Sequence, residues 1–236
     1  MKRASILLGL AFILLLAAMG LKGRLLDLPS VPPAVAAGGF QTHRAMARLE
    51  RILGDQLPHP VDSAANDGDR ARLIAELRTI GLTPQVRDNV TCGGSPKSRT
   101  ISCARIRNVT ATLGPAEGKH VLLVSHYDST PVGPGASDDG IGVAVMLETA
   151  ALLKDGPLTR PVTLLFNEGE ETGLLGARAF LEHDPLAARV DTLINVESRG
   201  VNGPAIMFET SRPNGAAIAA YKRAVCLLYT SPSPRD

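Results

Sequence analysis

Hydrophobic and polar positions divide the chain into three stretches with different patterns. The first is an uncharged, mostly apolar run from Ala4 to Leu21, with no polar face to interrupt it. As a helix it would be about 27 Å long at ~1.5 Å per residue, close to the ~30 Å core of a bilayer. The second is a Pro/Ala/Gly stretch from Pro29 to Gly39, which has little to pack and predicts a spacer. The third starts at Thr42, where Ala45, Leu49 and Leu53 stand at helical spacing and predict a helix over Thr42 to Leu53. Ser63 is placed to cap a second helix, whose last turns carry Leu73, Ile74, Leu77 and Ile80 before Gly81 stops it. Val86 falls in a short strand, and Ala104 to Leu113 alternates as a longer one.

Strand, loop and helix then repeat. Val121 to Val124 is an apolar strand, Ile141 to Leu153 an apolar helix, and Val162 to Phe166 a strand. Leu174 to Leu181 follows as a helix, then Thr192 to Val196 and Ala205 to Phe208 as strands. Continuous apolar strands alternating with helices predict an α/β fold, a mostly parallel mixed sheet sandwiched by helices. In such sheets ligands gather beyond the carboxyl ends of the strands.

The expected organisation is residues 1–24 as a transmembrane anchor or signal peptide, 25–41 as linker, and 42–225 as one domain. Lys2 and Arg3 precede the apolar run and suit either reading; Lys22 and Arg24 follow it at once, and the A-x-A-like site at Ala34 to Ala36 lies far downstream, which favours an uncleaved anchor. Residues 226–236, Cys226 to Asp236, resemble one reading frame of a transposase adapter used in sequencing libraries. On that reading they are not gene-derived and the domain is incomplete at its C-terminus; an ordinary Ser/Pro-rich tail is the alternative.

Charge adds a narrower point. The chain has 25 Lys and Arg against 23 Asp and Glu. Four of the basic residues lie in the first 24 positions, so the remainder is slightly acidic. With only 3% aromatic residues it has neither the basic face nor the stacking platform of a nucleic-acid binder. Cys92 and Cys103 bracket a short polar loop and are either two free thiols or a disulfide, the latter favoured for a domain exported behind an anchor. Asn89-Val90-Thr91 and Asn108-Val109-Thr110 are glycosylation sequons.

Candidate chemistry gathers at the strand ends. After Val124 come His126, Asp128 and a Gly/Pro loop to Asp138-Asp139-Gly140; after Phe166 come Glu168, Glu170 and Glu171; after Val196 comes Glu197. Singly, these are a surface pair, a helix cap and a solvated acidic loop. Together they fall on one edge of the predicted sheet, and one imidazole with several carboxylates suits zinc.

His126-Tyr127-Asp128, Gly135-Ala136-Ser137-Asp138-Asp139-Gly140, Glu170-Glu171-x-Gly173-Leu174-x-Gly176 and Asn195-Val196-Glu197 closely resemble the co-catalytic di-zinc aminopeptidases of metallopeptidase family 28. The anchored architecture is similar to the subgroup of the endoplasmic-reticulum metallopeptidase, in which further membrane spans sometimes follow downstream. The resemblance implies a zinc-exopeptidase, phosphorylase/hydrolase-like fold, a membrane-anchored enzyme acting on peptides, and a domain on the periplasmic or lumenal side. It implies that Asp138 bridges two zinc ions, that His126 and Glu197 complete one, and that Glu171 serves the other. Glu197 stands where many relatives have Asp. Asp128 would accept the His126 N–H and Glu170 would be the general base.

The family pattern also needs a second His, on a later loop. His43 and His59 precede the core, and His120 and His183 lie at the far end of the strands, so that ligand is expected outside these 236 residues and the fragment alone is expected to be inactive. Other readings are a non-catalytic ectodomain on the same scaffold, a carboxypeptidase, or a one-zinc glutaminyl-cyclase-like enzyme. Arg199, Asn202, Arg212 and Asn214 are either substrate contacts or solvated loop residues.

Overall fold

A computed structural model describes residues 2–25, 38–94, 99–198, 206–207 and 209–225. Two compact units divide the chain, Ala34–Val201 and a second one formed by Met1–Pro33 with Asn202–Asp236. In the second unit, α1 (Lys2–Leu25) contains a 19-residue stretch, Ser5–Gly23, long and apolar enough to cross a membrane. α6 (Gly215–Val225) belongs to the same unit. The adapter-like residues 226–236 lie outside the described residues, as do Arg199, Asn202 and the ends of the expected strand Ala205 to Phe208, whose Ile206 and Met207 are in no strand.

The larger unit runs α2 (Thr42–Leu53), α3 (Ala64–Ile80), β1 (Gln85–Gly93), β2 (Ser102–Leu113), β3 (His120–His126), α4 (Gly140–Leu153), β4 (Val162–Asn167), α5 (Leu175–His183), a short 3-10 turn (Pro185–Arg189) and β5 (Val190–Asn195). The caps fall where the residue types place them. Ser63 Oγ accepts the Asn66 N–H at the start of α3, and Gly81 ends it in the left-handed region.

The sheet is mixed, in the order β1-β2-β4-β3-β5. β3 pairs in parallel with β4 and β5, whereas β2 is antiparallel to both β1 and β4. β4 is buried at every position, its polar Thr163 and Asn167 included. On one face α3 and α4 press Leu73, Leu77, Val143, Met146 and Leu147 against Val109, Leu164 and Phe166. On the other, Phe180 of α5 packs on Leu122, Val124 and Leu165. A charged clip joins the helices, with the fully buried Glu148 of α4 accepting from Arg44 and Arg48 of α2. Cys92 and Cys103, directly opposite in the β1–β2 ladder, form a disulfide. Asn108 is buried and hydrogen-bonded through its side-chain amide to the Gly176 carbonyl, so this sequon is not open to a glycan in the folded domain.

At the pole away from the strands' carboxyl ends, His120 is buried. Its Nδ1 shares a 2.8 Å hydrogen bond with Thr163 Oγ1, and Nε2 has no partner. A charged ring would leave an N–H there with no acceptor; burial, then Arg189 and Arg160, hold its pKa below the usual 6.5. Because the folded pKa is depressed, the unfolded chain binds more protons at acid pH, and stability is lost as pH falls through the imidazole range. Chemical denaturation from pH 8 to pH 5 is expected to show that slope, and His120→Gln to flatten part of it. An unchanged slope in the variant would assign the acid sensitivity elsewhere.

Candidate functional site

His126 is the last residue of β3 and pairs in register with Asn167 of β4, so its backbone is part of the sheet. Nδ1 lies 3.0 Å from the Asp128 carbonyl oxygen, which can only accept, so Nδ1 carries the proton. Nε2 then faces outward, 3.1 Å from Asp138 Oδ1 and 3.7 Å from Glu197 Oε1. Burial alone would disfavour the charged ring, but the nearby carboxylates of Asp128, Glu197 and Asp139 outweigh it and push the pKa up to about 12.

The Asp128 side chain does something the sequence did not suggest. Its carboxylate is 3.5 Å from His126 Nδ1, farther than its own carbonyl, and instead Oδ1 and Oδ2 accept the backbone N–H groups of Glu170 and Glu171 at 3.1 and 3.3 Å. The short turn after His126 therefore holds the imidazole with main chain and the Glu170–Glu171 loop with side chain. Gly169 (φ 72°) lets that loop turn out of the sheet, and a Cβ there would press on Ile106.

Two sets of ligand atoms lie within 4.8 Å of one another: His126, Asp139 and Glu197, and His126, Glu170 and Glu171. Asp139 is less available than this proximity suggests. It is buried, its Oδ2 accepts from Ser125 Oγ at 2.6 Å and its Oδ1 caps α4 through the Gly142 N–H. Burial raises its pKa to about 7, Glu197 adding to the effect and Ser125 opposing it. Asp138, half-exposed, lines a cleft of about 240 Å³ together with Glu171. Burial pushes up the pKa of Glu170, with Glu197, Glu171 and Asp128 adding to it; burial does the same for Glu171, with Asp138 the next contributor. Among the described residues no Lys or Arg pairs with Asp138, Glu170, Glu171 or Glu197. Crowded carboxylates around one imidazole, with no protein cation to neutralise them, are a donor set suited to a metal.

Of the five histidines only His126 joins these sets. His59, which the sequence places before the core, is buried beside the site's Gly/Pro loop, and its backbone exchanges hydrogen bonds with Ser129. A second cavity, of about 350 Å³, lies between the disulfide hairpin and the turn after Glu171, lined by Gly94, Ser102, Thr172 and Arg178 among others.

The sequence model for peptidase family M28 matches residues 108–234, a span that contains every residue of this cluster. The chain belongs to peptidase family M28. Family M28 relatives include the vacuolar membrane protease of Eremothecium gossypii, 33% identical over 196 residues, and endoplasmic reticulum metallopeptidase 1 of Rattus norvegicus, 37% identical over 123. These matches cover 75% and 50% of this chain but 19% and 14% of the relatives, so the chain spans about a fifth or less of their length. Among solved structures, glutaminyl cyclase of Porphyromonas gingivalis superposes with TM-score 0.68 at 23% identity, covering 81% of this chain and 72% of that one. A Zn-dependent exopeptidase from Parabacteroides distasonis gives 0.58 at 19%, covering 69% and 63%. Both share the mixed-sheet fold.

Proposed function

We propose that this chain carries the active site of a membrane-anchored, zinc-dependent aminopeptidase that removes N-terminal residues from peptides. The observation that supports it most is that His126 Nε2, Asp138, Glu170, Glu171 and Glu197 gather around one imidazole from three strand ends, Asp138 and Glu171 lining a cleft beside it, with their negative charge unmatched by any described Lys or Arg. His126 and Glu197 would hold one zinc, Asp138 would bridge, and Glu171 would hold a second, whose remaining protein ligand is not among the five histidines of this chain. Zinc in such a pair lowers the pKa of water and polarises a scissile carbonyl.

The protein's own part is proton handling. With Glu171 bound to metal, Glu170 is the neighbouring carboxylate left free to take a proton from water and return it to the leaving amine. Its raised pKa suits a group that must take a proton from water. Asp128 positions Glu170 and Glu171 by their amides. An apolar N-terminal helix and a disulfide both favour a domain on the periplasmic or lumenal side of a membrane. The expected partners are peptides and the membrane, not nucleic acid.

Full-length, zinc-loaded protein should hydrolyse aminoacyl substrates, and not N-blocked peptides or N-terminal glutamine by cyclisation. Glu171→Ala should lose one of two zinc equivalents by elemental analysis. Retention of both ions would remove Glu171 from the ligand set, and cyclisation without hydrolysis would favour the glutaminyl-cyclase-like alternative.

A further inference from the structure

The loop that delivers Glu170 and Glu171 leaves the sheet at the end of β4, and the group that fastens it there takes no part in the proposed reaction. The antiparallel register of β2 and β4 ends with Val109 opposite Phe166. Continued by two residues, it would set Arg107 opposite Glu168 as the next like pair in the ladder. The backbone turns away before that pair forms, and side chains take over three of its four hydrogen-bonding groups. Glu168 Oε2 accepts the Arg107 N–H at 2.5 Å, and the Tyr127 hydroxyl donates to the Arg107 carbonyl at 2.9 Å. The Glu168 N–H, deprived of a strand partner, donates to Asn108 Oδ1 at 3.0 Å.

Two guanidinium groups complete the enclosure. Arg107 Nη2 donates to Glu168 Oε1 at 3.2 Å, and Arg70 Nη1 of α3 stands 3.7 Å from the same oxygen. Arg107 in turn donates to Asp67 and Asp62. Glu168 is wholly buried, and a buried ion cluster of this kind is weak as a source of net stability compared with an apolar core. Geometry gives a better reason for it. An apolar residue at 168 would fill the space but leave the Arg107 amide unpaired, with nothing fixing the chain two residues before the proposed base.

We infer that Glu168 is a positioning residue, whose carboxylate replaces the missing rung of the β2–β4 ladder and thereby fixes where Glu170 and Glu171 stand. The inference rests on reading Glu171 as a zinc ligand and Glu170 as the base. Charge and reach can be separated by two variants of the full-length protein. Glu168→Gln keeps an oxygen at the same reach but loses the ion pairs; Glu168→Asp keeps the charge and falls one methylene short.

Glu168→Gln should melt lower yet keep zinc affinity and kcat within about threefold of wild type. Glu168→Asp should weaken the zinc held by Glu171 by about 10- to 100-fold in chelator competition, the range for groups that orient metal ligands. Its kcat should fall by a similar factor, with KM changed less. A folded Glu168→Asp with wild-type zinc affinity and kcat overturns the inference, and so does Glu168→Gln as damaged as Glu168→Asp. Should Glu168→Asp not fold, hydrogen exchange at the Arg107 amide decides: protection kept in Glu168→Gln supports the substituted rung, and protection lost refutes it. A wild-type protein that binds no zinc would refute the proposed function instead, while the Arg107 amide would still report on the rung.

Discussion

Replacing Glu170 by Gln in the full-length protein should leave zinc content unchanged and lower kcat by about 10²- to 10⁴-fold, the usual contribution of a positioned general base. The exchange is nearly isosteric, and the Glu170 backbone N–H that Asp128 holds is untouched by it. What is removed is only the capacity to take up and return a proton. Burial, the largest influence on it, pushes the Glu170 pKa above its ordinary value and favours proton uptake. Zinc measured by mass spectrometry beside kcat on an aminoacyl substrate checks both halves. Near-normal turnover would dismiss Glu170 as the base.

Loss of both metals is the expected result of Asp138→Ala, with activity falling to background. Asp138 Oδ1 is 3.1 Å from the outward nitrogen of His126, and its field bears on Glu171, so one side chain touches both halves of the site. Its neighbour provides the control. Asp139 is held by Ser125 and by the cap of α4, a role Asn also fills, so Asp139→Asn should retain zinc with little loss of stability. Zinc lost from Asp139→Asn and kept in Asp138→Ala would exchange the two assignments.

Much of the architecture was legible because each element carries its own local signal. The helix of α2 follows from Ala45, Leu49 and Leu53, and the ends of α3 from Ser63 and Gly81. The buried parallel strands follow from predominantly apolar runs. Pairing is different, since it joins segments far apart in the chain. Nothing in Ala104 to Leu113 shows that this strand lies antiparallel to Val162–Asn167, and half of the four pairings are antiparallel as a result.

The same limit explains what was missed at the site. His126, Asp138, Glu171 and Glu197 could be proposed from sequence because their types suit a metal and they follow strands. Glu168 was passed over as part of an acidic run, because its partner Arg107 is 61 residues away and its role depends on the β2–β4 register. The one available signal was parity, since Glu168 continues the alternation that points Phe166 inward. Asp128 was expected to serve His126 with its carboxylate. The backbone carbonyl does that more closely, and the amides that the carboxylate holds instead are 42 and 43 residues distant.

The disulfide joins two strands that already face each other in register, so it encloses little beyond the tip of a hairpin. A cross-link between remote segments would remove much of the unfolded chain's freedom; this one removes little beyond a short loop's. Its protection is local, covering the hairpin wall of the 350 Å³ cavity whose opposite wall is the turn directly after Glu171. A thiol reagent strong enough to open it would leave the sheet standing and alter the contour beside the cleft. Expression in a reducing cytosol is therefore expected to yield a folded domain with an altered approach to its site, a difference that substrate profiles would reveal.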